Sequence, residues 1–269
     1  MSADAIGYAS VNGTEIYYET AGEGEPLMLL HAGIADSRLW DTQFKVFAQE
    51  FKVIRYDLRG FGKSVLPASI FTGYGDTFGL LDYFNVERAY LIGISNGGRV
   101  ALDFALAYQG RVNKLILAAP SAGGHPPSNA IKQFWQEEGE ALQRGDLEAA
   151  TELNLRLWVD GPSHSPNEVD GDIRKKVYEM QMLAFQIDEP DDAVEEGLEP
   201  RAIGRLEEVK ADTLILVGDL DLVEKITLAK KLEKEIPEAQ LEIISGAAHM
   251  VNKEKPEAFN RLALAFLSR

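Results

Sequence analysis

Three short stretches of this sequence carry residue types that can together break a covalent bond. The first is Gly93-Ile94-Ser95-Asn96-Gly97, a serine with glycine two residues away on either side. It lies between an apolar run and an amphipathic stretch, so Ser95 is predicted on a tight strand-to-helix turn. Such a turn strains the serine backbone, and side chains two residues either side would collide. The second stretch is Gly218-Asp219-Leu220-Asp221, and the third is Ser245-Gly246-Ala247-Ala248-His249; each ends an apolar run. A serine hydroxyl is a weak nucleophile. It needs a neutral imidazole to take its proton, and a carboxylate to fix the tautomer of that imidazole. Ser95, Asp221 and His249 supply the three in chain order, and the helix behind Ser95 points its amide dipoles at developing negative charge. The competing readings of the first stretch are an inert Gly-rich turn and a dinucleotide loop. The Gly-x-Gly-x-x-Gly pattern of the latter is absent.

These groups can meet only if the elements between them bring three distant strand ends together. Strands are predicted over 6–11 and 14–21, joined by Asn12-Gly13, a two-residue turn in which both positions take positive φ. Further strands fall at 27–30, 51–56, 89–92, 112–118, 213–217 and 241–244. Helices alternate with them at 41–50, 76–84, 223–236 and 256–267. Another carries Val100, Phe104, Ala107 and Tyr108 at helical spacing, with Gly110 as its stop. A hairpin followed by such alternation predicts an α/β architecture: a mostly parallel sheet covered on both faces, with ligands outside the carboxyl ends of its strands. From about 121 to 208 the pattern is helical without a strand. Asp146 caps one helix there, with Leu147, Ala150, Leu153 and Leu157 on a single face. This predicts a helical insertion over one edge of the sheet.

Composition narrows the partners. The chain has 269 residues and a formal charge of −16, which makes nucleic acid and anionic membrane surfaces poor partners. Without cysteine, thiolate nucleophiles, disulfides and cysteine metal sites are excluded. No His-Glu-x-x-His pattern or P-loop occurs, so neither metal nor cofactor is expected. No signal peptide or membrane-spanning run is visible, and a cytoplasmic protein, monomeric or a small homo-oligomer, is the expectation.

Taken together, Leu29-Leu30-His31-Ala32-Gly33, the run from Arg55 to Ser64, Gly93 to Gly98, Gly218 to Asp221 and Gly246 to His249 resemble the α/β-hydrolase superfamily. Small carboxylesterases and enol-lactonase-like members are the most similar. The resemblance implies a core domain over 1–120 and 209–269, with residues 121–208 as a helical cap. It also implies an oxyanion hole from the amides of Asn96 and of Gly33 or Ile34. It places the triad acid three residues after the glycine ending its strand, which is Asp221, and leaves Asp219 to brace the loop. His31, Asp57 and Arg59 are read as structural groups of two loops, and Arg99 as a paired or solvated arginine. Phe134, Trp135, Trp158, Met180, Met182, Leu183 and Phe185 are divided between cap packing and pocket lining. The activity expected is hydrolysis of short-chain carboxylic esters through an acyl-enzyme. A lactonase on the same triad is the runner-up, and C–C bond hydrolysis stands further back. A ligand receptor that kept the triad with little turnover is the non-enzymatic alternative.

Overall fold

Residues 3–269 are described by a computed structural model. Its strands are β1 (Ala5–Val11), β2 (Thr14–Ala21), β3 (Pro26–Leu30), β4 (Lys52–Tyr56), β5 (Ile70–Phe71), β6 (Ala89–Ile94), β7 (Val112–Ala118), β8 (Val194–Glu195), β9 (Asp212–Gly218) and β10 (Gln240–Ile244). Eight form one sheet in the order β1-β2-β4-β3-β6-β7-β9-β10. β1 and β2 are antiparallel, as are β2 and β4, and the other neighbours are parallel. Asn12 and Gly13 turn the first hairpin with φ of 48° and 74°, the double positive pair this turn requires.

The helices are α1 (Asp41–Phe47), α2 (Gly73–Tyr83), α3 (Asn96–Ala107), α4 (Asn129–Gln143), α5 (Leu147–Leu155), α6 (Gly171–Phe185), α7 (Val223–Glu235), α8 (Val251–Glu254) and α9 (Pro256–Leu267). Because successive side chains in a strand face opposite ways, each central strand feeds two cores. Met28 and Leu30 of β3, with Leu115 and Leu117 of β7, pack towards α2, α3 and α7. Leu27, Leu29, Ile116 and Ala118 pack towards α1 and α9 instead. The predicted two-faced, mostly parallel sheet is therefore present.

Several boundaries differ from the sequence reading. α2 starts three residues early because the Thr72 hydroxyl accepts the Gly75 N–H at 3.1 Å and caps it. α3 stops at Ala107, before Gly110, and a 3₁₀ turn follows over Gln109–Arg111. α1 ends at Phe47 in turns that reach Glu50. The 121–208 segment does contain a short strand, β8, which pairs in parallel with β5. Asp146 caps α5 through the Ala149 N–H at 3.0 Å, as predicted. The buried face of α5 is Ala150, Thr151, Asn154 and Leu155, rotated from the one predicted.

Candidate active site

Parallel register brings the working ends of the strands to one rim. Leu30 pairs with Gly93, Ile94 with Ala118, Ala118 with Leu216, and Gly218 with Ile244. The loops carrying Gly33, Ser95, Asp221 and His249 all leave from that rim.

Ser95 has φ 54° and ψ −114°, a strained conformation for a residue with a side chain. Its N–H donates to the Ala118 carbonyl at 2.9 Å, and its carbonyl accepts from Arg99 at 3.0 Å and Ser121 at 3.3 Å. The turn is too tight for side chains at its flanks. A Cβ on Gly93 would stand 2.2 Å from the Gly97 carbonyl oxygen, and one on Gly97 would stand 2.3 Å from that of Leu30.

His249 Nδ1 lies 2.9 Å from Asp221 Oδ2 and 3.2 Å from Oδ1, and both side chains are 1% exposed. A carboxylate only accepts, so this contact puts the imidazole proton on Nδ1 and leaves Nε2 as an acceptor. Nε2 is buried and has no hydrogen-bond partner among the described residues. The Trp158 ring closes over the imidazole at 4.7 Å between centroids.

Two further carboxylates hold the histidine loop. Asp219 accepts the Gly246 N–H at 2.7 Å and the Ser245 hydroxyl at 3.0 Å, the bracing role read for it from sequence. Glu254 was not singled out in the sequence. Its two oxygens accept the N–H groups of Ala248 at 2.8 Å and Met250 at 2.9 Å, one on each side of His249. Burial pushes its carboxyl above the usual range, against the pull of those two N–H bonds.

Ser95, Asn96, Gly33, Ile34 and His249 line one cavity of about 650 Å³. His31 is buried behind it. Its Nε2 accepts the Leu58 N–H at 2.8 Å and its Nδ1 lies 2.8 Å from the Ala32 carbonyl, so the ring staples two loops. Asp57 accepts the N–H groups of Ser37 and Lys63, both at 2.8 Å. Arg59 is paired with Asp76, and Arg99 with Glu195, each at 2.7 Å.

A family model described as serine aminopeptidase, S33, matches residues 27–256. The chain belongs to this family of α/β-hydrolases. It is 29% identical over 279 residues to a 2-hydroxy-6-oxo-6-phenylhexa-2,4-dienoate hydrolase of Comamonas testosteroni, covering 94% of this chain and 91% of that one. It is 27% identical to a pimeloyl-[acyl-carrier protein] methyl ester esterase of Nitrosospira multiformis, with 91% and 95% covered. The crystal structure of a hydrolase from Pseudomonas aeruginosa PA01 superposes with a TM-score of 0.81 at 25% identity, over 100% of both chains.

In this S33 hydrolase the segment between β7 and β9 roofs the cavity. Phe134, Trp135, Trp158 and Phe185 face the cavity, whereas Met180 packs into the core beneath. The roof is not wholly apolar. Glu138 accepts from the Asn154 amide, and Gln181 Oε1 is buried without a hydrogen-bond partner among the described residues. Lys225, absent from the sequence reading, also lines the cavity although it is only 5% exposed. A signal for it exists in hindsight. Lys225 shares a helical stripe with Leu228, Ala229 and Leu232, so a cation stands where the periodicity asks for an apolar residue.

Proposed function

We propose that this hydrolase is a serine carboxylesterase acting through an acyl-enzyme. The observation that carries the reading is a buried imidazole whose Nδ1 is held by Asp221 while its Nε2, unpartnered among the described residues, shares a cavity with Ser95. In this scheme His249 Nε2 takes the Ser95 proton as Oγ attacks the ester carbonyl, and Asp221 stabilises the imidazolium. The amides of Asn96, at the open start of α3, and of Gly33 receive the oxyanion, with Ile34 as the other donor available in that loop. The imidazolium then protonates the departing alkoxide. Water, activated by the same Nε2, releases the acid and restores Ser95.

A lactone ring opens by the same steps with the alkoxide retained, and stays the nearest alternative. C–C bond hydrolysis is a further alternative, and a relative named as a hydrolase of a 2-hydroxy-6-oxo-dienoate makes such compounds worth testing. That reaction asks more of the site, because a carbon leaving group is far more basic than an alkoxide and must be protonated as it departs. Residues 121–208 serve in this reading as the cap that encloses the acyl group of the substrate.

The test is a hydrolysis screen of p-nitrophenyl esters, lactones and 2-hydroxy-6-oxo-dienoates, with Ser95→Ala as control. Ester turnover lost in Ser95→Ala, together with fluorophosphonate labelling confined to Ser95, is the expected result. Residual activity within tenfold of the parent overturns the assignment.

A further inference from the structure

Lys225 is a buried cation in the cavity wall that the proposed ester chemistry does not use. Its Nζ donates to the Ser121 hydroxyl at 2.7 Å, which is its one hydrogen bond among the described residues. No carboxylate of the described residues stands within 4.0 Å of it. The nearby cavity cations are satisfied differently, since Arg59 and Arg99 each hold an acidic partner at 2.7 Å. A desolvated ammonium whose one hydrogen bond goes to a neutral hydroxyl is costly.

Ser121 donates its own N–H to the Ser95 carbonyl, so the Lys225–Ser121 pair sits against the turn that carries the nucleophile. On the other side, the Trp158 ring lies 5.3 Å from Nζ and 4.7 Å from the His249 imidazole. The cation is thus packed between the nucleophile loop and the base, inside the cavity. The charged and titratable groups that face it are Asp221, Glu224 and His125. Asp221 is engaged by His249, and Glu224 accepts the Ser128 N–H at 2.8 Å. Burial draws the lysine below its ordinary range, and the Asp221 and Glu224 charges oppose that fall. A bound anion would oppose it further.

We infer that Lys225 and Ser121 form a carboxylate-binding subsite, so that the ester hydrolysed here carries a free carboxylate in addition to its scissile bond. The inference rests on the esterase reading only for the word ester; the anion subsite stands on the cavity itself. Lys225 is here a specificity residue, not a participant in bond breaking. The ammonium and the Ser121 hydroxyl donate to the two carboxylate oxygens, the hydroxyl with the proton that its bond from Lys225 leaves free.

Two measurements test this. In the first, kcat/KM is compared between p-nitrophenyl hemiglutarate and p-nitrophenyl valerate, and between 4-carboxyphenyl acetate and phenyl acetate, which place the carboxylate on the acyl or the alcohol side. The parent enzyme is expected to favour the anionic member of at least one pair. Lys225→Met should shrink that preference at least tenfold, and Lys225→Arg should retain part of it. Equal losses on both members of each pair, or no preference in the parent, overturn the inference. In the second, binding of glutarate is measured by calorimetry on the parent and on Lys225→Met, with thermal melts to show that both are folded. Binding at least tenfold weaker in the variant supports the subsite even if no ester is turned over. Equal or undetectable binding in both proteins overturns it even if esters are.

Discussion

Asp219 Oδ1 accepts the Gly246 N–H at 2.7 Å, and that contact helps separate two aspartates that the sequence sets only two residues apart. One acid is committed to the backbone of the histidine loop, and the other is left for the histidine itself. Replacing Asp221 with Asn offers His249 Nδ1 an amide that can present its own N–H, the wrong partner for the tautomer. The expected loss is on the order of 10⁴ in kcat. Asp219→Asn keeps an acceptor for Gly246 and should lose much less. Assaying both variants with one activated ester at one pH checks this, and a crippled Asp219→Asn beside a near-normal Asp221→Asn would reverse the assignment.

Glu254 is expected to behave as a positioning residue for His249. In Glu254→Gln one oxygen still accepts, while the amide nitrogen confronts a backbone N–H. We expect a stability loss of about 1–2 kcal/mol and a fall in kcat at little change in KM. The same clamp weakens on protonation, because a carboxylic acid turns one acceptor into a donor. Burial raises the Glu254 carboxyl, so the parent should lose activity on acidification sooner than an ordinary carboxylate would dictate. In Glu254→Gln that acidic limb should move to lower pH. An unchanged pH profile would remove Glu254 from the machinery.

Acyl-chain preference should follow the roof of the cavity. Glu138, Asn154 and Gln181 place polar groups there, and a long alkyl chain reaching them would leave those groups desolvated. A four-carbon p-nitrophenyl ester should therefore be hydrolysed faster than a sixteen-carbon one at matched solubility. Gln181→Leu should move the preference towards longer chains. Faster turnover of the long ester by the parent would contradict the proposed role of the roof.

Asp103 on α3 supplies a test in stability. Both of its carboxylate oxygens are buried without a hydrogen-bond partner among the described residues, and Arg99 Nη1 stands 3.6 Å away. Burial raises its carboxyl from 3.8 to about 6. The folded state therefore holds a proton that the unfolded state has released between those values, and the fold weakens as pH rises through that window. Above about pH 6 the penalty is complete, at most about 3 kcal/mol. Asp103→Asn should raise the melting temperature at pH 8 and give a much smaller gain at pH 4. Equal effects at the two pH values would show that the carboxylate is not the source.

What the sequence determined by itself are features that neighbouring residues enforce on one another. Asn12-Gly13 had to turn the hairpin, Gly93 and Gly97 had to flank a strained serine, and Pro256 had to open the last helix, which runs to Leu267 as read. The order of strand ends likewise carried the family and the two-faced sheet. Features that depend on what lies opposite in space were decided only by the fold. Gly110 does not end α3. The helix α5 turns a different face inward because burial against α4 and α6 outweighs the local apolar pattern. The pairing of β5 with β8 joins residues more than a hundred positions apart through two-residue strands too short to carry a period. Glu254 reads locally as a surface charge, and Lys225 as a cation on an apolar helical stripe with nothing local to say what it meets. Their roles come from the loop packed across them, since a carboxylate becomes a clamp only when two free N–H groups face it. An ammonium becomes a recognition group only when the fold buries it beside the Ser95 turn with no carboxylate of the described residues in ion-pair contact.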